Sequence, residues 1–378
     1  MIASPHAAAS TAHPGPRPCR SAPARTRTDA PDADTILGCL LGGALGDALG
    51  APIEFESAAS IARRELPAPP ADLAYAGSAP ARITDDTQMT LFVAEGLIRA
   101  RQRQAERGLA SITDCVQHAL VRWYATQTGE PTRDPGWLSH VRGLHARRAP
   151  GNTCMSALAA LARNRTLTRA RNDSKGCGAV MRAAPFGLAC TSRTQAFELA
   201  RDTGAMTHGH PSGTQSAGYL AALVFDVARG ASLPEAMTHA DALLAGERDN
   251  GELIAILARC RAGAATGAPP SVRELEALGG GWVGEEALAI ALRCVLAHDP
   301  SDSHAIERTL WAAVAHGGDS DSTGAIAGNL LGAMLGAAPL PARWLAQLEL
   351  RPEIARVADD LHRSITGARL SPTDYPPS

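Results

Sequence analysis

Two short acidic stretches, far apart in the chain, carry the side chains best suited to chemistry. One is Thr84-Asp85-Asp86-Thr87, and the other is His316-Gly317-Gly318-Asp319-Ser320-Asp321-Ser322-Thr323. Each precedes an apolar run of helical period, "MTLFVAEGLIRA" and "TGAIAGNLLGAMLG". A single Asp, Ser or Thr in such a place is ordinarily a helix N-cap. Two clusters of the same chemistry, each opening a helix, predict one site built from both loops. If Asp85, Asp86, Asp319 and Asp321 converge, four carboxylates share a small volume and must either take up protons or bind cations. Apart from the flanking His316, neither stretch contains Cys or His, so the donors are all oxygen. That set suits two Mg²⁺ ions, with Mn²⁺ as a substitute, rather than Zn²⁺. Thr84 and Ser322 supply further oxygens.

The elements that must position these loops carry a second signal. Gly38, Gly42, Gly46 and Gly50 recur every four residues in one apolar stretch, and Gly324, Gly328, Gly332 and Gly336 in another. A glycine inside a helix costs about 1 kcal/mol against alanine, so the eight together cost roughly 8 kcal/mol. Close approach of two helices along those faces is the simplest compensation. Asp47 interrupts the first stretch, and neither reaches about 18 uninterrupted apolar residues, so a buried soluble pair is expected rather than membrane spans.

Five strings in order, "GALGDALGAPIEF", "TDDTQMTL", "SKGCGAVMRAAPFGL", "THGHPSG" and "GGDSDSTGAIAGNLLG", resemble the ADP-ribosylglycohydrolase family over residues 37–361. The resemblance implies an all-α fold with a two-magnesium site. It implies hydrolysis of the bond at C1″ between ADP-ribose and a protein side chain, with arginine the expected acceptor. In this reading Thr84, Asp85, Asp86, Asp319, Asp321 and Ser322 hold the metals, while Asp85, Asp86 and Glu54 act in catalysis. Glu54 matches the family's spacing "G-D-A-x-G-x-x-x-E". Alone it would read as a solvated surface acid. Asp86 and Glu54 are expected to stabilise the oxocarbenium-like state, one of them taking the proton of the attacking water.

The stretch Asn172, Asp173, Ser174, Lys175, Gly176, Cys177, Gly178 reads in isolation equally as a capped turn or as a nest of backbone N–H groups facing an anion. By resemblance it lies along ADP-ribose, with Cys177 standing where the family's "S-x-G-N-G-x-x-M-R" carries Asn. His208 is carried over as a residue beside the nucleotide, and His210 is read as structural. Trp282 is assigned to the core in preference to stacking on an adenine or ribose. Glu54, Glu56 and Asp173 are candidate acids to receive a guanidinium at the rim.

Composition supports a helical domain: 45% hydrophobic and only 4% aromatic residues over 378 favour packed Ala- and Leu-rich helices. The expected architecture is all-α, a single compact multi-helix orthogonal bundle over residues 34–366. It is flanked by a disordered Pro/Ala/Arg-rich tail at 1–33 and a loose tail at 367–378. A net charge of −2 gives no reason to expect nucleic acid. Eight scattered cysteines without a C-x-x-C pair indicate a reducing, cytoplasmic setting. The expected partner is an ADP-ribosylated protein. The alternative is an immunity-type protein that binds ADP-ribose, or an ADP-ribosyltransferase through the N-terminal tail, without turnover. A phosphohydrolase that cleaves the pyrophosphate would instead release AMP.

Overall fold

The computed structural model describes residues 27–376 except Pro67 and Ser78. Sixteen α-helices and no β-strand occur among the described residues, in keeping with the all-α expectation. At the centre, the helices Ala33–Gly50 and Ser320–Leu335 run antiparallel in direct backbone contact. Around them pack Asp85–Arg107, Gly284–Val295, Ala305–Val314 and Arg351–Ile365. The helix Ala33–Gly50 is apolar enough to pass for a membrane span, but it is buried on nearly all sides by its neighbours. Glycine makes that possible. A Cβ at Gly46 would lie 1.9 Å from the Gly324 carbonyl oxygen, and one at Gly42 would lie 2.3 Å from that of Gly328. The relation is reciprocal, since a Cβ at Gly332 would lie 1.8 Å from the Gly38 carbonyl oxygen. Both glycine stripes are therefore the two halves of one contact.

The pair is keyed by a polar latch. Asn329 donates from Nδ2 to the Cys39 carbonyl at 2.8 Å, in space left by Gly43, whose Cβ would lie 2.1 Å from that nitrogen. Such a bond inside an apolar pair fixes its register, because a slipped helix would leave the amide unpaired.

One expectation about the periphery changes. The C-terminal segment is docked, not loose: Leu370 and Tyr375 are buried, and the Tyr375 hydroxyl donates to Asp360 Oδ2 at 2.7 Å. The main chain there also serves the core, since the Asp374 carbonyl accepts from Trp137 N and that of Pro376 from Arg99. A Pro-rich composition was a poor guide because two apolar side chains suffice to anchor so short a segment. The long connection after Glu54 contains a short helix, Ala58–Arg63, capped by Ser57. Residues 1–26 of the N-terminal tail lie outside the described residues. Within its described part, Thr28 N donates to the Arg229 carbonyl at 3.3 Å, and Asp32 caps the first helix.

Gly46→Ala and Gly328→Ala should each destabilise the fold by more than about 3 kcal/mol, because the intruding methyl meets backbone that cannot rotate away. Gly251→Ala, where a Cβ meets nothing within 4 Å, should shift stability by less than about 1 kcal/mol. Urea unfolding followed by circular dichroism measures both.

Candidate active site

The antiparallel contact brings the start of Ser320–Leu335 beside the end of Ala33–Gly50, and from there the site assembles. Asp319 is the N-cap, accepting from Ser322 N at 3.3 Å. Thr84 is the N-cap of Asp85–Arg107, accepting from Asp86 N at 3.3 Å. Two helix N-termini therefore open on one cleft, and their partial positive charge favours carboxylates there.

The residue that joins the loops is Asp47, fully buried on the first glycine helix. Its carboxylate accepts from Thr84 N at 3.0 Å, from Thr87 N at 3.1 Å and from the Thr87 hydroxyl. It thereby seats the Thr84–Thr87 turn on the central helix pair. The signal for it in the sequence is a lone acid in a glycine-striped apolar helix.

Ligand atoms of Glu54, Asp319 and Asp321 all lie within 4.8 Å of one another. Asp85 and Asp86 line the same cleft and are buried. Asp86 Oδ1 has no hydrogen-bond partner. No Lys or Arg among the described residues forms an ion pair with Asp47, Glu54, Asp85, Asp86 or Asp319. Burial, then the charge of Asp321, pushes Asp47 up to about 7 and Glu54 up to about 9. The same two causes raise Asp85, Asp86 and Asp319 well above the ordinary carboxylate range. An all-oxygen carboxylate set without a resident counter-charge, and with an orphaned buried oxygen, fits a hard divalent cation. Ser322 stands at the cleft, whereas the Thr84 hydroxyl is engaged at its helix cap and 3.5 Å from Asp86 Oδ2.

The cleft has a volume of about 310 Å³, at the lower end of the roughly 300–1,000 Å³ typical of small-molecule sites. His208, Gly176, Cys177 and Gly178 line it. His208 is 1% exposed, its Nδ1 lies 2.8 Å from the Thr207 hydroxyl, and burial followed by the Arg182 charge lowers its pKa to about 3. It is thus a neutral imidazole at physiological pH. Gly178 allows the close fit, since a Cβ there would lie 2.6 Å from Cys154 Sγ and 3.1 Å from the His208 ring. Arg182, also buried, donates to the Gly178 carbonyl and to the Thr207 hydroxyl, tying the loop to the histidine. Nothing local in the string "SKGCGAVMRAAPFGL" marks Arg182 for that role, because its partner Thr207 is distant in sequence.

The rest of the predicted binding loop faces elsewhere. Asn172 spends its amide internally, donating to the Thr207 carbonyl and accepting from Ser174 N and Gly209 N. Lys175 is paired with Glu252 at 2.8 Å and Glu285 at 2.9 Å. Asp173 is exposed, and Ser174 accepts from Gly176 N. The anion-nest reading is corrected on the same grounds: the N–H groups of Ser174, Gly176 and Cys177 are taken by Asn172 Oδ1, Ser174 Oγ and the Trp282 carbonyl. The stretch 172–175 therefore braces the loop, and only residues 176–178 reach the cleft.

Trp282 is not in the core. It stands 42% exposed at the rim, stacked on Phe55 with ring centroids 5.2 Å apart. Phe55 holds a left-handed backbone, φ 70°, which turns its ring outward next to Glu54. Of the three rim acids expected, only Glu54 lines the cleft, because Glu56 is paired with Arg64 and Asp173 lies outside. His316 is a buried structural residue, 3.0 Å from the Thr323 hydroxyl.

A helical fold that gathers carboxylates at two helix N-termini, over a cleft of this size, is that of the hydrolases that remove ADP-ribose from modified proteins. The chain belongs to the ADP-ribosylglycohydrolase family, whose sequence model matches residues 28–370. It is 27% identical over 342 residues to the ADP-ribosyl-[dinitrogen reductase] glycohydrolase of Rhodospirillum rubrum, spanning 87% of this chain and 95% of that protein. It is 25% identical over 375 residues to the ADP-ribosylhydrolase ARH3 of Gallus gallus, spanning 91% and 96%. Among solved structures, an ADP-ribosylglycohydrolase-related protein complex superposes with a TM-score of 0.58 at 25% identity, covering 88% of this chain and 98% of that one.

Carboxyls with raised folded-state pKa values bind more protons folded than unfolded, so stability falls as pH rises from the ordinary carboxylate range through about 7 for Asp47 and about 9 for Glu54. The chelated protein should therefore lose thermal stability steadily between pH 5 and 9, and Mg²⁺ should flatten or reverse that slope. Scanning calorimetry with and without Mg²⁺ reads both effects.

Proposed function

We propose that this hydrolase acts on arginine-linked ADP-ribose with two Mg²⁺ ions, which Mn²⁺ can replace. The observation that carries the reading is the carboxylate cluster of Glu54, Asp319 and Asp321, with Asp85 and Asp86 buried beside it and no Lys or Arg among the described residues paired to the group. Asp85, Asp86, Asp319, Asp321 and Ser322 would hold the ions, with Thr84 shaping the loop. When bound, such cations orient the ribose hydroxyls and acidify water.

The protein's own groups account for the rest. Glycosidic cleavage at C1″ builds positive charge on the anomeric carbon. Asp86, buried in the cleft wall and with Oδ1 unpartnered, is the carboxylate assigned to that charge. Glu54, half-buried at the cleft mouth, would take the proton of the attacking water once bound cations offset the neighbouring carboxylates that hold it protonated. Neutral His208, held by Thr207 and Arg182, lines the nucleotide side together with Gly176 and Gly178. Phe55 and Trp282 close the rim and limit solvent entry.

Charge supports arginine as the acceptor. A guanidinium requires carboxylate or carbonyl partners on leaving, whereas a serine hydroxyl requires fewer. Glu54 lines the cleft, and no Lys or Arg among the described residues lines it. The same carboxylates disfavour a reading as a binding protein without turnover, since the diphosphate of ADP-ribose would meet uncompensated negative charge unless cations intervene.

Peptides carrying ADP-ribosyl-arginine and ADP-ribosyl-serine, presented side by side with Mg²⁺ and followed by mass spectrometry, should show free ADP-ribose and intact arginine. Preference for the serine peptide would overturn the acceptor assignment. Release of AMP would overturn the glycosidic reaction, and tight ADP-ribose binding without release from either peptide would favour the immunity-type alternative. Asp319→Ala should reduce turnover by at least about a hundredfold and weaken Mg²⁺ binding while leaving the helical signal intact.

A further inference from the structure

A second cavity, of about 220 Å³, shares no lining residue with the active cleft and has the opposite chemistry. His118, Val121 and Arg122 reach it from the helix Ile112–Thr128, Thr132, Arg133 and Asp134 from the loop after that helix, and Arg165 from just past Asn152–Arg163. Three guanidiniums and an imidazole from three segments thus line one hollow. Arg122 is 2% exposed, and its bonds, from Nε at 3.1 Å and Nη2 at 2.9 Å, both go to Glu95 Oε2. Its Nη1 bonds to nothing among the described residues. Glu95 is shared besides, since Arg99 Nη2 donates to its Oε1 at 2.6 Å. The exposed side chains of Arg133 and Arg165 have no hydrogen bond or ion pair among the described residues. Against them the wall sets one carboxylate, Asp134, whose carbonyl accepts from Arg99 Nη1 at 3.0 Å and so fixes the loop that carries Arg133. Burial and then the charges of Arg165 and Arg122 lower the pKa of His118, with Asp114 opposing and Arg103 adding.

We propose that Arg122, Arg133, Arg165 and His118 form a binding site for a phosphate-type dianion, either inorganic phosphate or the phosphate group of a monoester, separate from the ADP-ribose site. Guanidiniums match oxyanions because their N–H donors are fixed in a planar fork and the bonds are charge-assisted. Arg122 supplies the buried donor, and Arg133 and Arg165 supply the exposed ones. Asp134 accepts the hydroxyl of hydrogen phosphate or of the alcohol part of a monoester. The volume falls below the roughly 300–1,000 Å³ of organic-ligand pockets, so the site takes one phosphate group and little beyond it. The inference does not depend on the hydrolase reading.

Calorimetric titration of the full chain, freed of divalent cations, tests it with sodium phosphate, glycerol 3-phosphate and sodium chloride at matched ionic strength. Without cations the acidic cleft repels the same anions, so the heat reports on this cavity. Phosphate should saturate at one equivalent, and chloride should give no saturable heat. Tighter binding of glycerol 3-phosphate marks a monoester as the ligand, and tighter binding of phosphate marks the free ion. Arg133→Ser combined with Arg165→Ser should weaken binding at least about tenfold with the helical signal unchanged. Arg273→Ser, at an exposed arginine that does not line the cavity, should leave binding as it is. In NMR the His118 imidazole, identified by His118→Gln, should titrate about one pH unit higher with phosphate present, because an anion favours the imidazolium. No saturable binding by the folded protein, equal affinity in the double variant, or a His118 titration that phosphate leaves in place would overturn the proposal.

Discussion

Everything in this structure depends on two helices touching backbone to backbone. At Gly42, Gly46, Gly328 and Gly332 the carbonyl oxygens of one helix occupy the space a side chain would need on the other. That approach places the N-terminus of Ser320–Leu335 beside the C-terminal end of Ala33–Gly50. A Cβ on Gly50 would lie 2.3 Å from the Ser320 carbonyl oxygen, so Asp319 and Asp321 are brought next to the helix end from which Glu54 follows. Asp47 then fastens the Thr84–Thr87 turn to the same pair. Helix packing and ligand placement are one constraint, and widening the gap by a methyl group would move the carboxylates as well as weaken the core.

The site concentrates like charge where a protein would ordinarily avoid it. Burial and mutual repulsion raise five of its acids, and the two helix N-termini and the hydrogen bonds to Asp47 offset only part of that cost. Local stability is thus given up for a pre-formed cavity of oxygens. Membership of a family that cleaves ADP-ribose from proteins gives that sacrifice a purpose.

Much of this was legible in the sequence because it is periodic or clustered. Glycines four apart announced a helix face, and two acidic runs at helix starts announced a shared site, since both signals are local in sequence. Legibility ended where the deciding partner was distant. Asp47 looked like an interruption because its three donors sit in another segment. Trp282 looked like core because nothing nearby in sequence shows that Phe55 meets it at the surface. Asn172 and Lys175 looked like ligand contacts, yet their partners at Thr207, Gly209, Glu252 and Glu285 claim them first. The C-terminal segment looked loose because the Asp360 carboxylate and the apolar seat that receive Tyr375 cannot be read from composition.

The central claim is that the carboxylates assembled by the glycine contact are a cation site. Anomalous X-ray diffraction from crystals grown with Mn²⁺ tests it most directly. The account predicts anomalous peaks between Glu54, Asp319, Asp321 and the Asp85–Asp86 turn, each within coordination distance of carboxylate oxygens. A cleft without anomalous signal at saturating Mn²⁺, or peaks confined to other surface acids, would contradict it.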